Sequence, residues 1–139
     1  MYKFTINHDL ITLNEYILNE RKNKFEGSTI KKRFTGICQL YAQQLPTIPN
    51  ITYNVILVHH EKDNRRDTDN IAFRIKFILD GIVKAGKLPD DGYKYINDLV
   101  NIRNKSDVRK IDVYLYPLNQ KSSYLQAINK LSNESEVES

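Results

Sequence analysis

Val55-Ile56-Leu57-Val58 is an unbroken apolar run inside a segment, Ile51–His60, that gives way at once to the polar stretch Glu61–Arg66. A strand with one wet face alternates apolar and polar residues; a run without a polar break belongs to a strand covered on both faces. Such a strand needs a layer on either side, and the rest of the chain must supply it. Two amphipathic helices are legible. From Thr29, the residues Ile30, Phe34, Ile37, Tyr41 and Leu45 form one stripe, ended by Pro46 and Pro49. From Asn70 to Ala85, Ile71, Ile75, Ile78, Leu79, Ile82 and Val83 form a second, with Gly86 as its stop.

Shorter elements complete the pattern. Met1–Ile6 alternates as a strand with Tyr2, Phe4 and Ile6 on one side. Leu13–Asn19 reads as a short helix and Phe25–Gly27 as a turn. Tyr93–Ile102 and Asp107–Tyr116 read as two strands, with Asn104-Lys105-Ser106 as a hairpin-like turn between them. The expected order is β-α-α-β-α-β-β, an α+β fold with helices packed on a small mixed sheet. The 139 residues suit one core. We expect a domain over residues 1–118 and a polar, partly disordered tail over 119–139. Within that tail 121–131 form a short helix presenting Tyr124, Ile128 and Leu131, and the acidic SNESEVES end is disordered.

Composition narrows the function classes. One cysteine, Cys38, excludes a disulfide framework and a cysteine zinc cage, and makes a reduced, cytoplasmic setting the default. No stretch approaches the ~20 apolar residues of a membrane span, and the polar N-terminus has no signal-peptide core. The net charge is +4, from 21 lysines and arginines against 17 acids. The bases fall in clumps: Arg21, Lys22, Lys24; Lys31, Lys32, Arg33; Arg65, Arg66; Arg103, Lys105, Arg109, Lys110. Each clump alone is a solvated surface, but several in one small domain point to a phosphate-binding face, with Lys31, Lys32, Arg33, Arg65 and Arg66 as the candidate phosphate contacts.

The chemistry concentrates in Asp63-Asn64-Arg65-Arg66-Asp67-Thr68-Asp69-Asn70 and, after the helix, Pro89-Asp90-Asp91-Gly92. In an extended chain residues two apart project to the same side, so Asp67 and Asp69 can face one hard cation. The alternative is a helix cap for Asp69 and an ion pair with Arg65 or Arg66 for Asp67. If Asp91 returns to this pair, three carboxylates meet at a sheet edge, a donor set for Mg²⁺ or Mn²⁺ rather than zinc. On a continuous helix Lys76 falls at −20° from Asp69, so its ammonium points to the same side; the alternative is a Lys76–Asp80 pair on a solvated face. His59-His60 at the end of the strand reads as a structural or exposed pair, His8 has no visible partner, and Cys38 reads as a core filler.

Arg66-Asp67-Thr68-Asp69-Asn70, Ile75-Lys76-Phe77-Ile78-Leu79-Asp80-Gly81-Ile82-Val83, Ala85-Gly86 and Asp90-Asp91 together resemble the RusA family of Holliday-junction resolvases. A weaker match, Leu13-Asn14-Glu15-Tyr16, extends the likeness over about residues 10–115. The resemblance implies a homodimeric, Mg²⁺-dependent endonuclease for four-way DNA junctions, of a kind often encoded by phages and prophages. It implies Asp67, Asp69 and Asp91 as metal ligands and Lys76 as the phosphate-contacting lysine. One departure stands out: the family lysine follows the second aspartate by four residues, and here the interval is seven, with Phe73 in the four-residue position. Three added residues rotate Lys76 by about 300° and advance it ~4.5 Å. The non-enzymatic alternative is a RusA-like fold whose site is unused and which acts by binding DNA or a regulatory protein partner.

Overall fold

The protein is described from a computed structural model. It covers residues 1–22 and 24–138, and all their side chains except those of Lys24, Phe25 and residues 135–138. The Lys24 side chain of the first basic clump and Ser139 of the acidic end therefore lie outside the described residues. The elements are β1 (Tyr2–Ile6), α1 (Leu13–Lys22), α2 (Lys24–Ala42), β2 (Tyr53–Glu61), α3 (Thr68–Ala72), α4 (Ile75–Lys84), β3 (Ile96–Lys105), β4 (Lys110–Pro117), a 3-10 turn (Leu118–Gln120) and α5 (Lys121–Glu138). The mixed α+β architecture is as expected from the sequence.

β2 is the central strand. The sheet order is β1-β4-β2-β3, with β2 parallel to β3 and antiparallel to β4, and β1 antiparallel to β4. The apolar run at 55–58 is buried on both faces. Val55 and Leu57 point into a large core with Phe4, Ile6, Val113 and Leu115 and with the helical stripes of α2 and α4. Ile56 and Val58 point the other way, into a smaller core with Ile102, Tyr116 and Tyr124. α5 closes that second face: Tyr124 is buried, Ile128 and Leu131 pack beside it, and the Tyr124 hydroxyl donates to Asp98 at 2.9 Å. α5 runs to Glu138, past the 121–131 expected to be helical.

Four local expectations change. β3 and β4 do not form a hairpin, because β2 lies between them. The doubly apolar strand needs a neighbour on each side, and this outweighs the short turn. β3 starts at Ile96 rather than Tyr93: the Gly92 carbonyl accepts from both the Tyr95 and Ile96 N–H groups, and this turn leaves Tyr93 exposed. Phe25–Gly27 lies inside α2, not in a turn. The helix expected over 70–85 is divided at Phe73–Arg74, where the N–H groups of Arg74 and Lys76 bond three residues back, to Ile71 and Phe73.

α4 ends as the sequence requires. Gly86 has φ of +76°, its N–H bonds the Val83 carbonyl at 2.9 Å, and the Lys87 N–H reaches Ile82 at 3.2 Å. These are the paired bonds of a left-handed helix stop. Gly81 has a different reason to be glycine. A Cβ there would stand 2.5 Å from the Cys38 Cβ and 2.8 Å from the Gln39 nitrogen, so α2 and α4 touch backbone to backbone.

Candidate active site

The chain leaves β2 at Glu61 and enters α3 at Thr68, and an ion-pair network holds that corner. Glu61 ends β2 on the large-core side, and its side chain is 2% exposed. A buried carboxylate must be matched by cations. Arg66 approaches it at 3.3 Å, and Arg74 and Arg109 at 3.8 Å. Asp9, in the turn after β1, binds the same arginines: Arg66 at 2.6 and 3.2 Å and Arg74 at 3.2 Å. Burial pushes the Asp9 carboxyl up, but the Arg66 hydrogen bond and the charges of Arg66, Arg74 and Arg109 prevail and hold it below the usual range.

Arg74 explains the divided helix. Its side chain is 1% exposed, and its Nε and Nη2 donate to the Leu10 carbonyl at 3.1 and 2.9 Å. It occupies the apolar stripe between Ile71 and Ile78, so its charge is carried inward. The tightened turn delivers it to the β1–α1 connection. In such a turn each residue advances ~120° rather than 100°, so the sequence angle of Lys76 relative to Asp69 no longer holds.

The expected site residues divide into groups. Asp67, not Asp69, takes the N-cap position of α3, and it makes no side-chain cap bond. Among the described residues its carboxylate has no ion pair: Arg65 pairs with Asp63 at 3.8 Å, and Arg66 with Asp9, Glu15 and Glu61. Among the described residues Asp69 accepts only from the adjacent Asn70 N–H, at 3.0 Å. Asn70 in turn accepts from the Asn14 N–H at 3.1 Å, pinning α3 to α1. Asp67 and Asp69 are both exposed at one corner. Lys76 is exposed on the first turn of α4 and forms no pair with Asp80 among the described residues.

Asp91 stands elsewhere. In the parallel pairing Tyr53 faces Ile96 and Glu61 faces Lys105, so the start of β3 lies beside the start of β2. The Asp90–Asp91 turn is tied there: the Thr52 hydroxyl donates to the Lys94 carbonyl at 2.6 Å and the Tyr53 N–H to Tyr95 at 2.7 Å. Asp67 follows the opposite end of β2, roughly 25 Å away along the strand at ~3.3 Å per residue. Asp91 therefore does not return to Asp67 within one chain. Among the described residues no three histidine, cysteine, aspartate or glutamate side chains are grouped to hold an ion. The chain matches no family model, and none of the curated proteins compared with it matches significantly.

The basic candidates separate too. Lys31, Lys32 and Arg33 are exposed on α2, and the Arg65 side chain is 89% exposed. Arg66 is a strut of the corner rather than an open phosphate contact, because acids already surround its guanidinium. The sequence reading also missed a polar ladder on the second sheet face. His60 Nε2 lies 2.7 Å from Asp112, the Thr5 hydroxyl donates to the same carboxylate at 2.6 Å, and Asn104 approaches His60 Nδ1 at 3.5 Å. On the opposite face His59 is buried against Asn101 at 2.8 Å. The period-2 alternation of β2 was the signal: consecutive histidines in a doubly covered strand must each find a partner. Cys38 is core, as expected, with burial pushing its thiol up to about 12.

Proposed function

We propose that the protein is a divalent-metal endonuclease for branched DNA, of the RusA type, working as a twofold homodimer. The observation that carries this reading is the pair Asp67 and Asp69. They are exposed carboxylates, two residues apart at a rigid corner, without a cation partner among the described residues although arginines crowd the adjoining network. Carboxylate oxygens are the donors Mg²⁺ and Mn²⁺ take, so the donor set fits. The third carboxylate of the motif comes from the second copy. A twofold pair that sets opposite ends of two sheets together presents Asp91 of the partner subunit to Asp67 and Asp69, and by symmetry makes two equal sites. A junction has two related strands to nick, which is what two equal sites serve.

When bound, the ion would polarise the phosphate and lower the pKa of its water. This chain's own residues hold the two carboxylates in place through the Glu61–Arg66–Arg74 corner, with Lys76, exposed at the start of α4, as the candidate phosphate lysine and Arg65 and the α2 lysines as further phosphate contacts. The test is a synthetic four-way junction incubated with the full-length protein and Mg²⁺ or Mn²⁺. Symmetric nicks are expected. Asp69→Asn should lose nicking by orders of magnitude and keep junction binding, since it removes a charge repelling phosphate. Binding without nicks by the unmodified protein under both metals would support the non-catalytic alternative instead.

A further inference from the structure

A cavity of about 310 Å³ opens between α1, α2 and the start of α4, lined by Tyr16, Glu20, Lys31, Phe73, Lys76 and Phe77. Its aromatic wall is a connected cluster. The Tyr16 and Phe73 ring centroids are 5.3 Å apart, and Phe73 and Phe77 stand edge to face at 5.5 Å. Tyr16 and Phe73 are only partly buried, so ring surface faces the opening. Lys31 and Lys76 are both exposed at this cavity and neither makes an ion pair among the described residues. Lys31 also lines the adjoining hollow of about 420 Å³, with Ser28, Lys32, Thr35, Asp80 and Lys84. Aromatic rings beside uncommitted ammoniums, continuous with a lysine- and hydroxyl-lined track, form one composite surface.

We propose that this cavity holds a single unpaired nucleobase of the DNA substrate, with the flanking phosphates along Lys31, Lys32 and Lys84. The inference rests on the branched-DNA reading above and specifies which part of that substrate the chain grips. Every base has a π-face, and stacking on aromatic side chains beside a basic groove is how single strands are held without sequence readout. The volume lies at the low end of small-molecule sites, room for one base rather than two. Glu20 can accept from the exocyclic amino group of cytosine or adenine. Phe73 takes the position where the resemblance places a lysine, and it supplies ring surface there instead of charge. The Phe73 N–H bonds the Asp69 carbonyl at 3.3 Å, so the cavity wall starts one helical turn from the aspartate corner and a base seated here would lie near the proposed cutting site.

The experiment measures binding of the full-length protein to a short single-stranded oligodeoxynucleotide carrying 2-aminopurine, in EDTA so that no cutting occurs. Stacking should quench the fluorophore. Phe73→Leu and Tyr16→Leu keep bulk but remove a ring, and each should weaken binding about tenfold and relieve the quench. Lys31→Gln should keep the quench and lower the salt slope of affinity by about one. Urea midpoints identify any variant that fails to fold, and the other two then carry the test. Unchanged affinity and quench in folded Phe73→Leu and Tyr16→Leu would overturn the proposal. A loss of dimer without a loss of oligonucleotide binding would also overturn it, since the cavity would then belong to the second copy. Failure of the nuclease reading is distinct: the unmodified protein would fail to nick junctions in Mg²⁺ whatever the oligonucleotide does.

Discussion

Two histidine-linked groups in β2 and β4 set how stability responds to acid. Burial pushes the His59 imidazole down to about 4, with Arg74, Arg103 and His60 adding to the fall and the Asn101 bond opposing it. The unfolded chain then takes up a proton near pH 6.5 that the folded chain refuses, so stability present above pH 6.5 is lost as pH falls toward 4. Asp112 acts lower. Burial alone would raise its carboxyl, but hydrogen bonds from His60 and Thr5 and the charges of Lys3 and His60 hold it at about 2. Its contribution is complete above pH 4 and disappears toward pH 2. Urea midpoints across pH should therefore show His59→Gln flattening the decline between pH 6.5 and 4, and Asp112→Asn flattening only the lower step.

The arginines make a second contrast at this scale. Arg74→Met leaves the Leu10 carbonyl and part of the Glu61 charge unmatched and should cost about 3 kcal/mol. Arg65→Gln, at an exposed position, should cost under about 0.5 kcal/mol yet lower the salt slope of DNA binding by about one. Denaturation and salt-titrated binding of the same two variants check both halves. Arg74 was legible in principle, since an arginine in an apolar stripe announces a buried ion pair. The partners Asp9 and Glu61 were not, because they come from distant turns that only the sheet order brings together.

At the scale of elements, α2 and α4 meet backbone to backbone at Gly81. Gly81→Ala would drive a methyl into Cys38 and the Gln39 backbone, and backbone cannot move aside as a flexible side chain can. The cost should reach the upper part of the ~1–3 kcal/mol range for overpacking. In urea the midpoint should fall with the slope unchanged. The α2 and α4 stripes, the N-terminal strand and the doubly covered strand could be read from the apolar pattern because each buries its apolar residues in the two cores, whereas α1 has no buried residue. The partners of β3 and β4 could not. Both strands are compatible with a hairpin locally, and only the demand of β2 for two neighbours separates them. That pairing also decides the site: it places Asp67 and Asp69 beyond one end of β2 and Asp91 at the other. The motif was thus visible in the sequence, while its division between two ends was not.

On the proposed reading each cutting site of the whole molecule is a product of two copies. Asp69→Asn and Asp91→Asn break different parts of it, and each variant alone should be inactive on a four-way junction in Mg²⁺. Unfolding and re-forming an equal mixture yields heterodimers in which one site collects both substitutions and the other collects neither. With random exchange, about a quarter of the sites are whole, and the mixture should recover about a quarter of the unmodified nicking, as single rather than paired nicks. If the unmodified protein cuts and the mixture stays as inactive as either variant alone, the shared site is contradicted.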